Sequence, residues 1–252
     1  MKEVSMENYV LITGASSGLG RAIAVTLSKT YPLILGGRNV ERLEETRALC
    51  TDSDRHVFWN YDLSAVEGIR DALTAFIKDG NLKVGGFVHS AGISYISNLT
   101  GAKLEEIRRV MDINFFSAVE VLKVLVTKKI NGKNLRNVIL ISSIAAYGGS
   151  KGEAFYSASK AAVNIFTRAM ADELAPNTRV NTINPGITRT PMMNSLLEDK
   201  DHLEKYRRTH LLDFCEPQDI ADMAEFLMSD KSRRITGQHL VVDGGAMASV
   251  KF

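Results

Sequence analysis

The stretch 9–20, YVLITGASSGLG, constrains the fold more than any other part of the chain. A short apolar run ends at Thr13, glycines stand at 14, 18 and 20, and apolar residues return at helical spacing in RAIAVTL. A strand therefore becomes a helix across three glycines. Gly14 permits a tight turn, Gly18 lets backbone approach a pyrophosphate, and Gly20 lets the helix pack closely on the strand. A helix begun there points its free N–H groups and the positive end of its dipole at the turn, which makes a seat for phosphate.

The same alternation runs through the whole chain. Apolar runs at 9–13, 32–36, 56–60, 86–90, 137–142, 179–184 and 239–243 read as strands. Helical patterns lie near 18–30, 39–50, 65–79, 103–130, 154–174 and 217–229. Strands that are almost continuously apolar belong to a parallel sheet covered on both faces. Their alternation with helices predicts a doubly wound α/β fold. No internal repeat or Pro/Gly/Ser linker divides 1–252, so one domain is expected. The exception to the pattern is 187–215, rich in charge and methionine. A long excursion after a strand predicts a lid, with Met192, Met193, Leu196 and Leu197 facing a substrate. A plain pair of surface helices is the other reading of that segment.

Composition excludes several classes. The 31 basic and 29 acidic residues leave a net charge of +2, which argues against nucleic acid or a membrane surface as partner. The pairs Lys128 with Lys129 and Arg207 with Arg208 read as solvated faces. Cys50 and Cys215 lack metal spacing and the five histidines form no ligand pair, so no metal site is expected. Two free thiols, no apolar signal in the first ten residues and no run of membrane-spanning length predict a cytoplasmic protein. Met6 is a second candidate start beside Met1.

The second strand refines the ligand. It ends LGGRNVER, with Gly37 where an acidic residue would accept from the ribose hydroxyls of NAD, and Arg38 next to it. A guanidinium grips a 2′-phosphate through paired N–H groups, so the residues favour NADP, bound as NADPH for reduction. In YDLS, Asp62 is placed to accept from an adenine amino group, or simply to begin the next helix.

The chemistry lies in ISSIAAYGGSKGEAFYSASKAAV. Ser142 and Ser143 end a strand, where open α/β sheets bind ligands, and Tyr156 and Lys160 share one helix face. A free phenol has a pKa of about 10 and is a poor acid–base at neutral pH; a neighbouring cation lowers it. A serine hydroxyl beside it can hold a carbonyl oxygen while the phenol supplies a proton.

Taken together, these motifs resemble the short-chain dehydrogenase/reductase family over about 9–245. TGASSGLG resembles the family's cofactor turn, which would bring Gly14, Ser16, Ser17, Gly18, Leu19 and Gly20 to the dinucleotide. Asp62 and Leu63 would meet the adenine, and Ser90, Ala91 and Gly92 would lie against the cofactor. NPG at 184–186 with Thr188 and Thr190 resembles the nicotinamide loop, so Pro185, Gly186 and both threonines are expected there. Ser143, Tyr156 and Lys160 match the catalytic motif: Tyr156 as acid–base, Lys160 lowering its pKa and binding the nicotinamide ribose, Ser143 holding the substrate oxygen. Asn114 in DINFFSA matches an asparagine that holds a relay water.

The resemblance also implies strand order 3-2-1-4-5-6-7 and a homotetramer or homodimer packed through 103–130 and 154–174, with Ala158, Ala161 and Ala162 suited to close packing. One departure stands out. The family's NNAG is HSAG here, so His89 and Ser90 replace both asparagines; His89 reads as a satisfied core histidine, with catalysis the other reading. The substrate implied is a carbonyl or secondary alcohol, with a 3-oxoacyl thioester the first candidate and a sugar, steroid-like or small ketone the others. A non-catalytic NADP-binding sensor or scaffold is the competing function. It would be expected to have lost Ser, Tyr or Lys, and all three are present.

Overall fold

The computed structural model describes residues 7–193, 207 and 209–249. Seven strands, β1 (Tyr9–Thr13), β2 (Leu33–Gly37), β3 (Val57–Asn60), β4 (Val84–His89), β5 (Asn137–Ile141), β6 (Arg179–Pro185) and β7 (His239–Val242), form one sheet. Its order is β3-β2-β1-β4-β5-β6-β7 and every neighbouring pair is parallel, as expected from sequence. Every residue of β4, β5 and β6 is buried, as a parallel sheet covered on both faces requires, and β6 buries polar Asn181, Thr182 and Asn184 as well.

Helices cover both faces. On one side α1 (Gly18–Ser28), α2 (Val40–Leu49) and α8 (Pro217–Met228) press Ile23, Leu27, Leu43, Ile220 and Leu227 against the sheet. On the other, α3 (Ile69–Asp79), α5 (Ser117–Val126) and α7 (Ala154–Glu173) bury Leu73, Val121, Leu122 and Val163. Each such aliphatic side chain contributes about 1.5–3 kcal/mol of burial. Start signals are local: Asn39 caps α2 by accepting from Arg42 N at 2.8 Å, and α8 opens with Pro217 and a Glu216–Asp219 capping box.

Two sequence expectations are corrected. The helix expected over 103–130 is broken into α4 (Leu104–Met111), a π turn (Asp112–Phe116), α5 and the short α6 (Lys128–Asn131). Thr127 is extended, which ends α5. One extra residue in a turn leaves the apolar spacing nearly intact, so periodicity passes over it. The fourth strand occupies Val84–His89 rather than 86–90, which places Ser90 in the loop beyond it.

The segment 187–215 is described only in part. Residues 194–206 and 208, with Leu196 and Leu197, lie outside the described residues. What is described is the base: Cys215 N donates to Ile187 O and Arg189 N to Cys215 O, both at 3.0 Å, so the segment leaves and returns at one point. Among the described residues no helix is long and apolar enough to cross a membrane.

Candidate active site

The glycine turn and the loop after β4 meet at the C-terminal edge of the sheet. Gly14 has φ +70°, and a Cβ there would stand 2.8 Å from the backbone of Ala91. A Cβ at Gly20 would collide with the carbonyl of Gly14. The floor is therefore bare backbone. No side chain caps the first turn of α1, since its N-cap Ser17 makes no such bond, and the hydroxyl of Ser90 is buried without a partner. Uncapped N–H groups and an orphan hydroxyl around a side-chain-free floor fit the diphosphate and ribose of a dinucleotide.

A cleft of about 330 Å³ runs along this floor. The turn residues Gly14 and Ser16 to Gly20 line it, as do Arg38, Asp62, Leu63, Ser90 to Gly92, and Thr190. Pro185, Gly186 and Thr188 do not: Pro185 ends β6, and Thr188 is buried with its hydroxyl donated to Gly186 O at 3.1 Å. Sequence reasoning missed several wall residues, among them Tyr61, Ile93, Ile113 and, at the start of α2, Asn39 and Arg42. The signal for the last two was the NVER that follows Arg38. Pro191 and Met192 close over the glycine turn from the base of 187–215.

The outer end is ionic. Arg38 lies 3.8 Å from Asp62, both side chains exposed. Bonds from Ser64 N at 3.0 Å and Ser64 Oγ at 2.9 Å, with Arg38 nearby, hold the Asp62 carboxyl below its ordinary pKa. Among the described residues no acidic partner is recorded for Arg42.

The polar group named from the sequence lies beside the cleft at Gly92; Ser143, Tyr156 and Lys160 do not line the cleft itself. Lys160 is buried; its Nζ donates to Ile141 O at 2.9 Å, and burial lowers its pKa to about 8. The two strand-end serines divide. Ser142 Oγ donates to Lys160 O at 3.0 Å, while Ser143 accepts from Ala145 N at 3.1 Å. The Tyr156 pKa is raised, first by burial and further by the Glu153 carboxylate, against the lowering influence of the Ser143 hydroxyl. The sequence predicted the opposite direction. The ammonium of Lys160 is 5.8 Å from the Tyr156 ring centre and bonded to Ile141, and burial outweighs it.

Comparison with known proteins identifies the family. The profile of a family described as enoyl-(acyl carrier protein) reductase matches residues 14–247. The chain belongs to the short-chain dehydrogenase/reductase family. It is 32% identical over 242 residues to carbonyl reductase family member 4 of Xenopus laevis, covering 95% of this chain and 98% of that one. It is 32% identical over 241 residues to the 3-oxoacyl-[acyl-carrier-protein] reductase of Thermotoga maritima, covering 93% and 96%. Among solved structures, 4-hydroxyisoleucine dehydrogenase complexed with NADH superposes with a TM-score of 0.88 at 28% identity, covering 96% and 99%. Family and fold together make the chain an oxidoreductase for a nicotinamide cofactor.

Two positions of this short-chain dehydrogenase/reductase need their own account. Asn114 is fully buried in the π turn. Its amide donates to Ile93 O at 3.0 Å and Ser159 Oγ at 2.9 Å, and its Oδ1 accepts from Ile93 N at 2.8 Å. Both N–H groups are thus spent, and only acceptor capacity remains for a water. Gly92 lets the loop after β4 pass close to both groups: a Cβ there would stand 3.3 Å from Lys160 Nζ and 3.4 Å from Asn114 Oδ1. His89 is fully buried and hydrogen-bonded at both ring nitrogens, as the satisfied core histidine expected.

Proposed function

We propose that the chain is an NADP-dependent carbonyl reductase in which Ser143, Tyr156 and Lys160 are the catalytic residues. The observation that carries it is the neighbourhood of Tyr156, Ser143 and the buried Lys160, next to a cleft fitted for a dinucleotide. A carbonyl oxygen set between the two hydroxyls receives a bond from each. When bound, the nicotinamide supplies the hydride.

Tyr156, with its pKa raised, stays protonated at neutral pH and gives its proton to the oxygen as negative charge develops there. This favours the reductive direction. Lys160 then faces the phenolate with a charge of opposite sign. The remaining acceptor capacity of Asn114 Oδ1 would hold a water that returns the proton.

Preference for NADP is supported by Arg38 and Arg42 on the cleft wall and by Gly37 where an acidic side chain would favour NAD. The substrate reading is a 3-oxoacyl thioester, supported by the reductase of Thermotoga maritima. A homo-oligomer through α4, α5 and α7 is supported by exposed Leu104, Phe116 and Ile165, with Ala158 exposed on the same helix as Ile165. A cytoplasmic location accords with the free, buried Cys50 and Cys215.

The test is turnover of NADPH and NADH against a carbonyl panel that includes a 3-oxoacyl thioester, sugars and small ketones. Carbonyl-dependent oxidation of NADPH is expected. Tight NADPH binding without turnover on any carbonyl would identify a nucleotide sensor instead.

A further inference from the structure

We propose that His89 is a positioning residue that ties the π turn carrying Asn114 to the cofactor turn after β1. The hydrogen-bond directions follow from chemistry. His89 Nε2 lies 3.2 Å from Ile113 O, and a carbonyl can only accept, so Nε2 carries the proton. Nδ1 is then an acceptor, and Thr13 Oγ1 at 2.9 Å is its donor. The same Thr13 oxygen is left to accept from Ala91 N at 3.4 Å. The result is one directed chain, from Ala91 N–H through the Thr13 hydroxyl and the His89 ring to the Ile113 carbonyl.

Each anchor adjoins a site residue. Thr13 precedes Gly14, Ala91 precedes Gly92 and Ile113 precedes Asn114. The strands do not need this chain for their pairing, because Thr13 and His89 are already partners in the β1–β4 ladder. The π turn does need it. A π turn interrupts the regular helical bonding pattern, and Ile113 O takes bonds from two side chains, Ser117 Oγ at 2.7 Å and His89 Nε2. The ring stays neutral, since burial and the Lys160 charge bring its pKa down to about 3. A neutral ring keeps one donor and one acceptor, which is what the chain requires. The asparagine of the family pattern also combines donors with an acceptor, so His89 can still donate on one side and accept on the other, with a longer reach.

The inference rests on the reductase reading only for its kinetic arm. In His89→Leu, amide hydrogen exchange is expected to rise at 112–118 and 91–93 while the β5 and β6 amides keep their protection. In the same variant kcat is expected to fall roughly tenfold or more, as small misplacements of catalytic groups cost that much, with NADPH Kd and KM changed less than about threefold. His89→Asn should recover most of kcat. Thr13→Val is the second variant; it removes the hydroxyl without opening a cavity and should move exchange and kcat in the same direction by less.

Unchanged exchange at 112–118 in both His89→Leu and Thr13→Val would overturn the proposal. So would a fall in kcat that only follows a global loss of stability and is not recovered by His89→Asn. If the wild-type protein turned over no carbonyl, the reductase reading would fall, and the exchange experiment would still decide the role of His89.

Discussion

Lys160 Nζ stands 5.8 Å from the ring centre of Tyr156 and donates at 2.9 Å to the carbonyl of Ile141. The cation that should assist the phenol is thus held by the end of β5, and its own pKa has fallen to about 8. The pair is poised for a charge it does not yet carry. Phenolate formation would draw on Lys160 only as the proton leaves.

The first prediction follows for Tyr156→Phe. The ring and its packing remain while the transferable proton is lost. Turnover should fall by roughly 10² or more, with NADPH affinity within a few-fold of wild type. Near-normal turnover on a verified substrate would assign the proton to another group.

Cofactor choice is tested at the outer end of the cleft. A charge-assisted hydrogen bond contributes about 1.5–3 kcal/mol, so Arg38→Ala should weaken NADPH roughly 10- to 100-fold and leave NADH nearly unchanged. Calorimetry with 2′,5′-ADP against 5′-AMP isolates the same phosphate. A wild-type preference for NADH, or equal losses for both cofactors, would remove the NADP reading.

Lys160 gives a prediction about stability and pH. Its folded pKa, about 8, lies below the ordinary 10.5, so between these values the unfolded chain binds the extra proton. Stability from this group therefore rises with pH across that window, by up to about 1.4 kcal/mol per pH unit. Denaturant melts of wild type and Lys160→Met between pH 7 and pH 10 should show the rise in wild type and its loss in the variant. Parallel curves would mean that Lys160 titrates normally in the folded protein.

Gly20→Ala probes the cradle. The added methyl would meet the Gly14 carbonyl, so either the turn or α1 must shift. A loss of about 1–3 kcal/mol of stability is expected, together with weaker binding of both NADH and NADPH. Retained affinity for both would show that the turn can move without harm to the phosphate seat.

Much of this was readable from residue order. Strands buried on both faces announce themselves as apolar runs, and a parallel sheet puts their C-terminal ends, with Gly14 and Ser143, on one edge. Other features leave no local mark. The division of labour between Ser142 and Ser143 depends on which hydroxyl faces back toward Lys160 O. The π turn at Asp112–Phe116 costs one residue of phase, which a repeat of 3.6 absorbs within its scatter. Asn114 has no signal at all without the family, because its partners Ile93 and Ser159 are 21 and 45 residues away. Arg42 was in view but one helical turn past the residue that drew attention.

The place of β1 in the sheet bears on how the chain is made. It pairs with β2 on one side and β4 on the other. On the ribosome, β2 follows within a few tens of residues, whereas Val84–His89 emerges much later. Until then Tyr9–Thr13 has one open edge of unpaired backbone groups, apolar on both faces, which is a template for pairing with another chain. A fragment ending before residue 84 should therefore aggregate, and one extended through His89 should be the shortest in which that edge is covered.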